Sequence, residues 1–218
     1  MYKHFFKRLI DIILSFIGGI LLLPVFLIIA IAIVIDDPGP VFFKQKRVGK
    51  NKKLFWLHKF RSMKVKTPDI PTHLLTNPEQ YITRVGKFLR KTSLDELPQV
   101  YDILFGKMSI IGPRPALWNQ DDLIAERDKY GAYDVKPGLT GWAKINGRDE
   151  LEIPVKAALD GEYIEKMSFL FDCKCFFGTI TSVLKSDGVV EGGTGELKKQ
   201  EEAAKNMEDA VAAGKDDE

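Results

Sequence analysis

The feature that most constrains this chain is an unbroken apolar stretch close to its start. Residues 12–35 hold no charged side chain over 24 positions. As one straight helix they would run roughly 36 Å, more than the ~30 Å hydrocarbon core of a bilayer. Lys7 and Arg8 stand before the stretch, and Asp36-Asp37-Pro38-Gly39-Pro40 closes it. It is too long for the core of a signal peptide, and no small-residue cleavage pattern precedes Asp36. A membrane segment is therefore expected.

Two details bear on how it sits. Pro24 lies at the centre, where it removes a backbone donor and crowds the preceding turn, so a kink or break belongs there. Both flanks are basic. Lys3, Lys7 and Arg8 lie on one side, and ten Lys and Arg residues with no acid lie between 44 and 66 on the other. Basic flanks favour the cytoplasmic face, so a spanning helix would strand one of them outside. Two halves of about twelve residues, roughly 18 Å each, would suit one leaflet. On physical grounds a proline-kinked spanning helix and a re-entrant helix–break–helix both remain open.

The remainder reads as one mainly helical α+β domain. A hairpin is expected over 41–63, with its turn at Val48-Gly49-Lys50-Asn51-Lys52. Helices are expected at 79–91, 94–105, 117–130, 154–166 and 169–185, with a glycine-rich, helix-poor connection at 136–148. The last helix carries a broad apolar face, which is either core-directed or interfacial. Residues 1–40 form the membrane anchor, 41–190 the catalytic domain, and 191–218 an acidic tail with little core-forming content. Cys173 and Cys175 give no disulfide framework, and His4, His58 and His73 have no metal-ligand spacing.

Chemistry concentrates in Arg90-Lys91-Thr92-Ser93-Leu94-Asp95-Glu96-Leu97-Pro98-Gln99. Ser93 and Glu96 have the spacing of a helix capping box, which would explain the acids structurally. The same carboxylates beside Arg90 could bind Mg²⁺ with substrate phosphates, or attack phosphorus to give an acyl phosphate. Lys59-Phe60-Arg61-Ser62-Met63, Gly112-Pro113-Arg114-Pro115 and the strip from Lys136-Pro137-Gly138 to Asn146-Gly147-Arg148 add candidate anion contacts.

Taken in order, these pieces resemble the bacterial sugar transferases, in particular the small monotopic phosphoglycosyl transferases. The motifs carrying the resemblance include Lys7-Arg8 with Asp11, the proline-centred apolar segment, Gly39-Pro40-Val41-Phe42 and Gln45-Lys46-Arg47-Val48-Gly49. They continue through Lys59 to Met63, Gly86 to Arg90, Ser93 to Gln99, Met108 to Pro115, Pro137 to Trp142 and Asn146-Gly147-Arg148. The resemblance implies a re-entrant membrane helix broken at Pro24 and a catalytic domain facing the cytoplasm from the cytoplasmic membrane. It implies transfer of a sugar phosphate from a UDP-sugar to undecaprenyl phosphate, with UMP released. Mg²⁺ is implied as cofactor, with Asp95 as nucleophile and metal ligand and Glu96 in support. Lys59, Arg90, Arg114, Arg148 and Asp160 fall at substrate-side positions. A homodimer is left open.

There are departures. Leu23 replaces the serine that many members carry before the membrane proline, Lys144 replaces a glutamine, and Lys107 replaces an acid. A rival reading is a non-enzymatic module that binds anionic lipid through the basic run. A glycosyltransferase that releases UDP is another. Nucleic acid is not expected as a partner, because the anchor has no place in such a protein.

Overall fold

The computed structural model describes residues 2–68, 77–147 and 151–185. The apolar stretch forms two helices, α1 (Lys7–Leu21) and α2 (Leu23–Asp36), bent by 57° at the break. Pro24 stands in the first turn of α2, where its missing donor does least harm. Leu22 closes α1 by donating its N–H to Gly18 O (2.9 Å), and Phe26 N–H returns to Leu22 O (2.8 Å). With Leu23 in place of serine, no side-chain bond caps α2. Leu22 and Val25 instead pack against a cluster of Phe26, Ile29, Ile33, Phe60 and Leu89. Among the described residues no single helix is long and apolar enough to cross a membrane, though the bent pair passes together.

Both ends of the pair are tied to the same body. Arg8 donates to Ile103 O (2.6 Å) and Leu104 O (2.8 Å), and Asp11 accepts from Ile110 N–H (2.9 Å). At the far end Asp36 accepts from Val85 N–H (2.8 Å), while Arg61 bonds Asp37 and Pro40 O. The outward side stays apolar: Ile13, Leu14, Phe16, Leu27, Ile28 and Ile31 are exposed. A contiguous patch of this kind marks a surface that meets something other than water.

The expected hairpin is present as β1 (Phe42–Val48) and β2 (Leu54–Phe60), antiparallel and in register from Phe42↔Phe60 to Val48↔Leu54. The region read as one helix over 79–91 splits into a 3₁₀ turn, Pro78–Tyr81, and α3 (Arg84–Lys91). The one over 94–105 splits at Pro98 into a 3₁₀ turn, Leu94–Glu96, and α4 (Gln99–Leu104). A small parallel sheet, which the sequence reading missed, pairs β3 (Ser109–Ile111) with β4 (Gly138–Thr140). Helix α5 (Asp121–Asp128) is shorter than expected. α6 (Trp142–Ile145) falls inside the strip read as helix-poor, and α7 (Ile153–Lys166) and α8 (Phe169–Lys185) match.

Close backbone approach explains the glycines of that strip. A Cβ on Gly141 would lie 2.1 Å from Gly112 O, so the two loops can touch only without side chains there. On α8 the expected apolar face is not core-directed. Phe169, Leu170, Phe176, Phe177 and Ile180 are exposed, whereas Asp172 and Cys175 are buried. The acidic tail, 191–218, lies outside the described residues.

Candidate active site

Asp95 and Glu96 share the turn Leu94–Glu96, between α3 and α4. It is entered through Ser93 at φ 57°, a left-handed conformation that costs a non-glycine residue about 1–2 kcal/mol and must be held by its surroundings. The capping-box alternative does not hold. Ser93 makes no side-chain capping bond and its own N–H goes to Arg90 O (3.1 Å). The Glu96 carboxylate turns the other way, into cations.

Three side chains from separate elements meet it. Lys59, next to the last residue of β2, donates to Oε1 (3.0 Å) and stands 3.5 Å from Asp95 Oδ2. Arg114, in the loop after β3, donates to both oxygens, Nη2 to Oε1 at 2.5 Å and Nη1 to Oε2 at 3.2 Å. Lys144 on α6 donates to Oε2 (3.0 Å) and to Leu139 O (3.2 Å). The Pro-Arg-Pro loop is fixed in turn by Gly112 N–H to Thr140 O (2.8 Å), Gly138 N–H to Pro113 O (2.9 Å) and Arg47 to Pro115 O (3.0 Å).

Electrostatics separate the two carboxylates. Burial would raise Glu96, but Arg114, Lys144 and Lys59 outweigh it and hold Glu96 well below the usual carboxylate range. Asp95 is lifted above its ordinary value by burial, with Lys59 opposing and the charge of Glu96 adding to the rise. Burial also lowers Lys144. So Glu96 is a fixed anion that collects cations, and Asp95 is the less committed carboxylate. Its side chain keeps 9% of its surface, nearly closed off, while Arg114 keeps 32% and forms the open side. Lys59, Arg114 and Lys144 outnumber the two acids, a balance that favours an incoming polyanion.

A profile of the bacterial sugar transferase family matches residues 2–186. The chain belongs to that family. Its relatives include the UDP-glucose:undecaprenyl-phosphate glucose-1-phosphate transferase of Escherichia coli, 42% identical over 187 residues, covering 80% of this chain and 39% of that protein. The exopolysaccharide production protein PSS of Rhizobium leguminosarum is 38% identical over 191 residues, 82% of this chain and 94% of its own. A UDP-N-acetylgalactosamine-undecaprenyl-phosphate N-acetylgalactosaminephosphotransferase of Aeromonas hydrophila is 36% identical over 189 residues, covering 84% and 45%. The chain thus spans less than half the length of the first and third.

In this member of the family the expected residues fall into three groups. Asp95, Glu96, Lys59 and Arg114 come together. Arg90 stands at the edge, donating through Nε to Ser62 Oγ (2.7 Å), and its charge acts on Asp95. Asp160 lies behind the site. It is buried on α7 and accepts from Arg127 Nε (2.8 Å) and Nη2 (2.6 Å), and Arg127 Nη1 donates to Arg114 O (2.7 Å). Arg148 lies outside the described residues.

Two participants were missed. Lys144 is visible in sequence only as a departure from the family pattern, and it touches Glu96 rather than a remote contact. Arg127 gave no signal, because its partner is 33 positions away. Arg61, grouped with Lys59 as an anion contact, holds Asp37 and Pro40 instead.

The donor set accords with Mg²⁺ in one form only. Among the described residues no three His, Cys, Asp or Glu side chains gather as a metal cage. Glu96 is taken by three cations, which leaves Asp95. One carboxylate completed by substrate phosphates is an ordinary Mg²⁺ arrangement.

Proposed function

We propose that the chain transfers a sugar phosphate from a UDP-sugar to a polyprenyl phosphate, undecaprenyl phosphate in a bacterium, through a phosphosugar carried on Asp95. The supporting observation is the pairing of a loosely held, burial-raised Asp95 with an adjacent Glu96 locked by Lys59, Arg114 and Lys144. Arg114 meets the incoming diphosphate from the open side, and Lys59, shared between the acids, lies where charge builds up. The Asp95 oxygen attacks the phosphorus attached to the sugar. The bridging P–O bond breaks and UMP leaves with its electrons. A phosphate oxygen of the lipid then attacks the same phosphorus, the acyl-phosphate bond breaks, and Asp95 is released. Positioning and charge stabilisation supply most of the catalysis in phosphoryl transfer.

Mg²⁺, held by Asp95 and the donor's phosphates, would neutralise diphosphate charge. Glu96, ionised throughout, orders the cations rather than moving protons. The position of Asp160 supports an indirect role, in which it fixes Arg127 and through it the backbone of Arg114. The bent α1–α2 pair, with both ends on one body, supports a re-entrant anchor in the cytoplasmic membrane that keeps the domain on the cytoplasmic face, where the lipid phosphate and the soluble donor meet.

The test is donor turnover without acceptor. Pure protein incubated with UDP-sugars radiolabelled in the sugar should release UMP and retain one covalent label per active site. Asp95→Asn should abolish both. Full activity in that variant, or UDP as the product, would refute the scheme.

A further inference from the structure

At the end of α4 away from Asp95 lies a second cationic group that the proposed reaction does not use. Gly106, at φ +81°, ends the helix. Arg8 Nη2 and Lys136 Nζ come within 3.2 and 3.3 Å of the point where a Cβ on Gly106 would sit. Lys107 follows directly and is exposed, and the charge of Lys50 also acts on Lys136. Crowding and partial burial push Lys136 below its ordinary value, burial foremost and then Arg8.

The nearby acids are committed. Asp11 is buried and accepts from Ile110 N–H, while Asp102 holds His58 through N–H (2.9 Å) and Nδ1 (2.8 Å), with Lys107 Nζ at 3.6 Å. Among the described residues no ion pair joins Arg8 or Lys136 to a carboxylate. The charge of Asp11 acts on both Arg8 and Lys136, but Arg8, Lys107 and Lys136 outnumber Asp11 and Asp102, and a net positive group of this kind favours an anion.

Its surroundings say which kind. Phe105, next to Gly106 in the chain, is 74% exposed. Phe5 and Phe6, just before α1, and Leu9 in its first turn are exposed close to Arg8 in the chain. Cations beside exposed apolar side chains, at the foot of an apolar helix, match a lipid headgroup with its chains attached. Six residues of α4, roughly 9 Å, separate the group from the Asp95 turn.

We infer that Arg8, Lys107 and Lys136 bind the phosphodiester headgroup of an anionic glycerophospholipid, at a site separate from the one that handles substrate. The inference rests on the reading of α1 and α2 as membrane-embedded. Lys107 stands where the family resemblance leads one to expect an acid.

The experiment reconstitutes the protein in vesicles of phosphatidylcholine and phosphatidylglycerol in equal amounts. The lipid that stays bound after mild detergent extraction is read by native mass spectrometry. Phosphatidylglycerol should be retained over phosphatidylcholine by wild type. Lys107→Ala with Lys136→Ala should cut that retention about 25-fold, taking about fivefold for each lysine near an anionic headgroup. Lys136→Arg should keep it, and Lys53→Ala, which loses one lysine charge on the exposed hairpin turn, should leave it unchanged where either single lysine variant of the site lowers it about fivefold. Arg8 is left intact because it holds the α4 carbonyls.

Equal retention of the two lipids, an unchanged preference in the double variant, or complete displacement by excess inorganic phosphate would each overturn the inference. Recovery of the protein in vesicles of phosphatidylcholine alone tests the membrane reading separately. Failure there would remove the anchor, whereas normal recovery with no headgroup preference would remove only this site.

Discussion

Replacing Asp160 by alanine isolates what the pair behind the active site contributes. Asp160 and Arg127 are each 1% exposed, and Arg127 spends Nε and Nη2 on the carboxylate and Nη1 on Arg114 O. Burial lifts the Asp160 carboxyl above its ordinary value against the pull of Arg127. Desolvation therefore offsets most of the attraction within the pair, and the intact pair adds little net stability. Removing one partner is another matter, because it leaves the Arg127 guanidinium buried and uncompensated. Such losses cost about 3–5 kcal/mol. For a chain of this size that is a fall in Tm of roughly 6–20 °C. The double variant Arg127→Met, Asp160→Leu removes both charges and should recover most of the lost stability. It should not recover activity, since Arg114 O has lost its donor and the loop that presents Arg114 to Glu96 is released. Thermal unfolding of detergent-solubilised protein, run beside UMP release, reads the two effects separately. The reasoning fails if Asp160→Ala unfolds within about 2 °C of wild type. It fails equally if the stable double variant turns over normally.

Two further outcomes follow from the same geometry. Glu96 has a lowered pKa in the folded protein, so its contribution to stability is complete above its ordinary value of 4.5 and is lost as pH falls through the depressed one. Glu96→Gln lacks that contribution and should show a flatter decline of Tm on acidification below pH 4.5 than wild type; parallel curves would contradict the assignment. At Gly86 an added Cβ would lie 1.9 Å from Ser62 O, so Gly86→Ala must push α3 off the strand end. It should cost about 1–3 kcal/mol and lower turnover through the Ser62–Arg90 contact, as read by urea unfolding and UMP release.

How far the sequence could be read tracks the range over which each signal acts. The break at Pro24 and the β1–β2 turn are local, and both were legible from residue type alone. The splits at 81–84 and 96–99 were not, because apolar spacing continues across them while Ile82 and Thr83 turn extended at the first and Pro98 lacks a backbone donor at the second. Strands of three residues, as in β3 and β4, are too short to show alternation, and the glycines between them read as turns instead of close contacts. Within the site, Asp95, Glu96, Lys59 and Arg114 stood out because they lie in compact motifs. Lys144 looked like a remote substitution until α6 folded it back onto Glu96. Arg127 sits in an acidic helix, and nothing near it in sequence announces a partner on α7.

The bent helix pair and the geometry of the site are linked through a few residues. Arg61 holds the end of α2 through Asp37 and Pro40 O. Its neighbour Ser62 accepts from Arg90, and Lys59, two residues earlier on β2, reaches both carboxylates. Asp36 bonds the first turn of α3, the helix that ends in Arg90 and leads into the Asp95 turn. From the other side Arg8 and Asp11 fix α1 to the end of α4 and the start of β3, on whose far side the Arg114 loop begins. Each helix of the bent pair therefore reaches the site through one or two intervening contacts. A change in how the pair lies would move Lys59 or Arg114 before it moved the bulk of the domain. If the proposed reading holds and the acceptor is a lipid phosphate, that arrangement would make depth in a bilayer a determinant of how the carboxylates and cations are set.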